Sequence, residues 1–243
     1  MNIQSYILKK ERDLQNSPQY RVLCTRCAQP QFGCYCSEIK SFDPHVSFVI
    51  LIHPIEVKRR IATGRMSHLC LQNSYLIKGQ NYTNNDQVNS LLQDPEYESI
   101  LLYPGINSKN LSTIDATERS KLAPSGKKLR IIVIDGTWAT ARKMIAQSQN
   151  LKNLARICFT PIKPSNFRVR KQPQAHFYST IEAIHHTIEL LAEAQGFSLQ
   201  QGRHDNLIHV FNSMVEKQLH FIRESNLNPR PRTYRREGQR KSA

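Results

Sequence analysis

From residue 46 onward, short apolar runs alternate with stretches whose apolar residues recur at helical spacing. A short unbroken apolar run marks a strand buried on both faces, and such runs separated by helices build a parallel sheet. The pattern predicts strands over 46–52, 74–78, 99–103, 129–134 and 155–160, with helices over 61–72, 86–93, 115–122 and 139–149. Two longer helices are predicted over 180–195 and 204–224. The second carries an apolar stripe, Leu207, Ile208, Phe211, Met214, Val215, Phe221 and Ile222, that packs on the core. The expected class is therefore α/β, a mostly parallel sheet flanked by helices.

The remaining sequence divides around this block. Residues 1–45 form an N-terminal segment with a cysteine knuckle, 46–227 the main domain, and 228–243 a basic tail with no apolar periodicity, expected to be disordered. The 34 Lys and Arg residues against 19 Asp and Glu give a formal charge of +15, clustered rather than scattered. An anionic polymer is the expected partner, against the plainer reading of a basic surface kept for solubility. No stretch is apolar for the ~20 residues of a membrane span, and residues 1–10 lack the apolar core of a signal peptide. A cytoplasmic protein without a membrane partner is expected, and no obligate protein partner is evident.

Cys24, Cys27, Cys34 and Cys36 place four thiols within thirteen residues at the spacing C-x2-C-x6-C-x-C. In a reducing compartment this compact set points to a structural zinc ion with a closed tetrahedral shell, the alternative being free surface thiols. A second concentration of chemistry lies at Asp135-Gly136-Thr137-Trp138, where a buried strand ends and a helix begins with the only tryptophan. Open α/β sheets bind ligands outside the carboxyl ends of their strands, and helix N-termini there offer free N–H groups. An N-cap role for Asp135 and a core role for Trp138 are the bland alternatives.

Other motifs cluster at the same sheet edge. His53-Pro54 through Glu56, Arg59, Arg60, Thr63, Gly64 and Arg65 follows the first strand, where arginines can hold a phosphate while Glu56 orients a guanidinium. Tyr103-Pro104-Gly105 turns the chain after the third strand. Between 161 and 176, Lys163, Arg168, Arg170 and Lys171 have no acidic residue among them and Phe167 interleaved, a composition suited to a nucleic acid strand or to a solvated loop. Ser179 and Glu182 have capping-box spacing. His185 and His186 have no partner at a spacing that makes them ligands, and are read as ordinary helix residues.

These ordered motifs together resemble the DTW-domain family of tRNA-uridine aminocarboxypropyltransferases, of bacterial type, over about residues 24–190. Ala62 departs from the asparagine that many members carry before Thr63-Gly64-Arg65. The resemblance implies a SPOUT-like fold with a trefoil knot and S-adenosylmethionine as donor. It implies transfer of a 3-amino-3-carboxypropyl group to N3 of a tRNA uridine, in the variable loop, with release of methylthioadenosine. It places catalysis on Asp135, Thr137 and Trp138, with Asp135 either as general base or as a ligand of the donor, and Trp138 either stacking or bracing. Donor contacts fall on Leu102, Tyr103, Pro104, Gly105, Ile134, Gly136, Ser179 and Thr180. Arg60, Arg65, Lys163, Arg168, Arg170 and Lys171 are left for RNA. The rival readings are an RNA methyltransferase on the same kind of fold and a non-enzymatic zinc-bearing RNA-binding module.

Overall fold

The computed structural model describes residues 3–8, 22–59, 61–170 and 176–227. Arg60, Lys171 and the 228–243 tail thus lie outside the described residues. The strands are β1 (Ser47–Ile52), β2 (Ser74–Lys78), β3 (Tyr97–Leu102), β4 (Lys109–Asn110), β5 (Lys128–Asp135) and β6 (Arg156–Cys158). They form one sheet in the order β2-β1-β5-β3-β6-β4, and every pairing is parallel. A helix over residues 3–8 (α1) precedes the sheet. The others are α2 (Pro54–Val57), α3 (Thr63–Cys70), α4 (Asp86–Gln93), α5 (Ala116–Ser120), α6 (Trp138–Gln147), α7 (Gln149–Lys152), α8 (Thr180–Leu191) and α9 (Asp205–Leu227).

Side chains alternate across each strand, and both faces of the sheet are covered, which is why the strands read as unbroken apolar runs. One face turns Phe48, Ile50, Ile131 and Val133 into a cluster with Ile181 and Ile184 of α8 and Val210 and Phe211 of α9. The other turns Val49, Leu51, Leu101 and Ile132 against Val88 of α4, Met144 and Ile145 of α6, and Leu151 of α7. The Arg130 side chain, in the middle of β5, is buried: it pairs with Asp94 at 3.0 Å and lies 3.8 Å over the Tyr97 ring.

The differences from the sequence expectation are local. β4 was not anticipated, because a Lys-Asn pair has no apolar signal; it is fixed by pairing with β6 and by Asn110 Nδ2 donating to Thr160 Oγ1. The predicted strand at 155–160 shrinks to Arg156–Cys158, and the helix at 180–195 stops at Leu191. The short helix α2 lies where the pattern predicts no helix; Pro54 at its first position and the His53 side chain accepting from Ile55 N start it.

The knuckle is bound into the fold rather than hanging from it. Cys27 and Tyr35 are buried in the same cluster as α3 and α9. Asn206 at the start of α9 accepts from Lys40 N at 2.8 Å and donates to Glu38 O at 2.9 Å, while Lys217 further along α9 pairs with the Glu38 carboxylate.

Candidate functional site

Asp135 is the last residue of β5, level with Ile52 of β1 at the carboxyl edge of the sheet. It does not cap the following helix. Thr137 does, its hydroxyl accepting from Thr140 N at 3.1 Å, so the cap reading of Asp135 is corrected. Gly136 separates the strand end from that cap, whose own backbone is still extended. A Cβ at Gly136 would stand 2.6 Å from Thr140 Oγ1, so a larger residue there would displace that hydroxyl from its bonds with Thr137.

The Asp135 carboxylate is only 4% exposed. Its Oδ1 accepts from Thr180 Oγ1 at 2.5 Å and from Thr63 Oγ1 at 3.5 Å, whereas Oδ2 is buried with no hydrogen-bond partner. Burial raises the Asp135 pKa to about 6; Thr180 works against that shift, Glu56 adds to it, and the Gly64 N–H and Arg170 lower it. The Gly64 N–H acts as a nearby dipole, without hydrogen-bond geometry to Oδ2. A buried, half-satisfied carboxylate is costly unless a cation or proton donor completes it.

Asp135 sits in the wall of a cavity of about 360 Å³. Leu102, Tyr103 and Pro104 line it from the end of β3, Ile134 to Trp138 from the β5–α6 turn, and Ser179 and Thr180 from the start of α8. The structure thus gathers all the sequence-predicted catalytic and donor-contact residues except Gly105, which is not among the lining residues. Gly105 turns away beside the Arg156 guanidinium and Ser108. Trp138 stands between Phe177, with ring centroids 4.5 Å apart, and Tyr103, at 6.0 Å. Tyr178 and Phe159 extend this aromatic wall. Their place was not legible in the sequence, since aromatic residues in a loop have no periodicity to reveal a common face.

Two acidic residues hold the loop that closes the cavity. Glu56, 3% exposed, receives both arms of the Arg170 guanidinium, at 2.9 and 3.0 Å. Glu56 therefore does orient a guanidinium, but that of a residue 114 positions away instead of one in its own loop. Glu182 makes the expected capping box with Ser179, and also accepts from Ser165 Oγ and Asn166 N at 2.7 Å each. The basic stretch with no acid of its own thus acquires acids from elsewhere, Arg168 pairing with Glu216 of α9 as well. Of the other residues assigned to RNA, Lys163 is exposed. Arg65 donates to Val57 O at 2.7 Å and Cys27 O at 3.5 Å, tying α3 to the knuckle.

The four knuckle sulfurs lie within 4.8 Å of one another, with Cys24 to Cys36 at 3.7 Å and Cys27 to Cys34 at 3.6 Å. Zinc–sulfur bonds of ~2.3 Å set tetrahedral ligands ~3.8 Å apart, so these thiols fit one zinc ion and leave no position for water. They are free of disulfides.

The family model for the DTW domain matches residues 21–219. The chain belongs to the DTW-domain family. The match takes in the knuckle, the whole sheet and the first two thirds of α9. Among curated relatives, tRNA-uridine aminocarboxypropyltransferase 2 of Drosophila melanogaster is 29% identical over 181 residues, covering 72% of this chain and 68% of the fly protein. The Macaca fascicularis protein of the same name is 26% identical over 69% of this chain but 56% of its own length, so the chain spans little more than half of that relative. tRNA-uridine aminocarboxypropyltransferase A of Arabidopsis thaliana is 24% identical over 93% of this chain and 91% of the plant protein. No solved structure matches the chain significantly. Among the described residues of this DTW protein, no helix is long and apolar enough to cross a membrane.

Proposed function

We propose that this chain transfers a 3-amino-3-carboxypropyl group from S-adenosylmethionine to N3 of a tRNA uridine, in the variable loop, and releases methylthioadenosine. The observation that carries this reading is Asp135, a buried carboxylate with an unpartnered oxygen in the wall of the cavity. Membership in a family whose named relatives are tRNA-uridine aminocarboxypropyltransferases supports the reaction class. The SPOUT-like fold with a knot belongs to the same reading, supported by an all-parallel sheet with its cavity at the carboxyl edge.

The residues present fit the donor. A cavity of about 360 Å³ is within the ~300–1,000 Å³ typical of small-molecule sites. Its aromatic wall, with Trp138 between Phe177 and Tyr103, suits a planar base. When bound, the donor supplies a carbon activated by an adjacent sulfonium. In the reaction the uridine N3–C bond forms, the carbon–sulfur bond breaks with its electron pair leaving on sulfur, and the N3 proton must go to a base. Asp135, charged above about pH 6, would take that proton or hold the ammonium or sulfonium of the donor. Thr180 and Thr63 hold Oδ1, while Oδ2 is buried beside Gly64 of α3. Arg170, held by Glu56, presents a cation in the cavity wall for an anionic group of either substrate. Lys163 and the tail are assigned to the RNA backbone, and zinc in the knuckle to the fold.

The test is incubation of purified protein with S-adenosylmethionine and unmodified tRNA. A uridine mass increase equal to the aminocarboxypropyl group, with methylthioadenosine formed, is the expected outcome. A methyl increment with S-adenosylhomocysteine would replace this reading by an RNA methyltransferase, and tRNA binding without either product by a binding module.

A further inference from the structure

We propose that His185, His204 and Asp205 form a second metal site, separate from the four cysteines, which takes a divalent transition cation of the zinc class and clasps α8 to the start of α9. The His185 and His204 rings stack at 4.9 Å with 20° between their planes. Nε2 of each faces the same oxygen: Asp205 Oδ1 lies 3.2 Å from His185 and 3.5 Å from His204. All three ligand atoms lie within 4.8 Å of one another. Bonds of ~2.0–2.2 Å to nitrogen and oxygen set tetrahedral ligands ~3.3–3.5 Å apart, so the two edges shared with Asp205 already have the separation an ion would impose.

Hydrogen bonding alone accounts less well for the arrangement. His185 has a carboxylate at each ring nitrogen, since Glu189 Oε2 lies 3.6 Å from its Nδ1. A neutral imidazole has one N–H to offer them. With that N–H on Nε2, His185 donates to Asp205 Oδ1 at 3.2 Å and has none for Glu189; with it on Nδ1, Nε2 presents a lone pair towards Asp205 Oδ1, the position a cation would bridge. A carboxylate behind a ligating histidine is the usual means of fixing its tautomer, and Glu189 is itself steadied by His186 Nδ1 at 2.9 Å. His204 Nδ1 is buried without a partner among the described residues, so His185 is the better oriented of the two ligands. The histidines are buried while the Asp205 side chain is 64% exposed, which gives an ion a way in and leaves room for water as the fourth ligand.

The histidines' role is invisible in sequence because the partner of His185 on α8 is supplied nineteen and twenty positions later, beyond the end of the helix. What the ion would hold matters to the cavity. The helix it fastens is the one whose first residue, Thr180, hydrogen-bonds Asp135.

Cobalt(II) distinguishes the two sites. Full-length protein stripped with a chelator and titrated with Co²⁺ is expected to bind two equivalents, one with intense thiolate charge-transfer absorption and one adding only weak d–d bands. Asp205→Asn, at an exposed side chain that should not disturb folding, is expected to lose the second equivalent and keep the thiolate band. His204→Gln, checked for folding by circular dichroism, should do the same. Saturation of the wild type at one equivalent, or retention of two by folded Asp205→Asn, would overturn the proposal.

Discussion

Gly64 and Asp135 are packed so closely that a Cβ at position 64 would lie 2.5 Å from Asp135 Oδ2 and 2.8 Å from its Cγ. The helix α3 therefore approaches the carboxylate with bare backbone. Gly64→Ala must push the carboxylate off its bonds with Thr180 and Thr63 or shift α3 itself. A loss of ~1–3 kcal/mol in stability is expected from such overpacking, with activity falling further than stability. Urea melts and single-turnover transfer rates measure both. Gly33→Ala is the control, since its Cβ would meet nothing closer than 3.6 Å and should leave both unchanged.

Asp135 should also set a pH dependence of stability. Burial holds its folded-state pKa at about 6, above the ordinary 3.8. The folded state thus binds the proton more tightly than the unfolded chain, so the stability conferred by protonation is complete near pH 4 and is lost as pH rises through about 6. Asp135→Asn carries no charge to desolvate. It should be more stable than the wild type at pH 7.5, by on the order of 1–3 kcal/mol, with the gap closing towards pH 4.5, and it should transfer no aminocarboxypropyl group. A variant less stable than the wild type at both pH values would mean that the carboxylate is structural.

The Glu56 and Arg170 pair gives a third expectation. Arg170→Ala strands a buried carboxylate, and breaking such a pair costs about 3–5 kcal/mol. Arg170→Lys should recover little, because a point charge cannot reproduce two parallel hydrogen bonds. Replacing both partners, Glu56→Gln with Arg170→Met, should restore much of the stability and none of the activity. A double-mutant cycle on denaturation and turnover separates these effects.

This pair also marks where the sequence stops being informative. Strand positions were legible where burial on both faces leaves an unbroken apolar run, as in β1 at Ser47–Ile52, all of it buried; the half-exposed edge strand β2 at Ser74–Lys78 and the helix α4 at Asp86–Gln93 also fall where the pattern puts them. The strand-end turn at 135–138 and the capping box at Ser179 were legible because turns and caps are written within four residues. Glu56 and Arg170, or Glu182 and Asn166, meet only after folding, and no local period encodes them. The same limit hid β4, whose two polar residues are held by β6, and the company of His185 across two helices.

Zinc in the knuckle should be required for more than the knuckle. Cys27 is fully buried in the core cluster with Tyr35 and Phe42, and Arg65 reaches from α3 to the Cys27 carbonyl. Cys27→Ser is expected to lose one zinc equivalent, read by mass spectrometry under native conditions, and to lower the melting temperature of the whole chain. Loss of zinc with an unchanged melting temperature would show the knuckle to be thermally independent.

Binding to tRNA should fall steeply with salt. The chain carries +15, and the pairs that Arg168 and Arg170 make with Glu216 and Glu56 leave Lys163 and the basic tail to meet phosphates. Each neutralised phosphate releases counterions, so a protein making several such contacts loses affinity by orders of magnitude between ~50 and ~200 mM salt. Truncation after residue 227 should flatten the slope of log affinity against log salt while leaving transfer at saturating tRNA intact, because the tail contributes attraction and the cavity the chemistry. Fluorescence anisotropy with labelled tRNA measures the slope. An affinity that does not change with salt would argue against phosphate tracking by this chain, and an unchanged slope in the truncated protein would move the contacts to Lys163 and the knuckle.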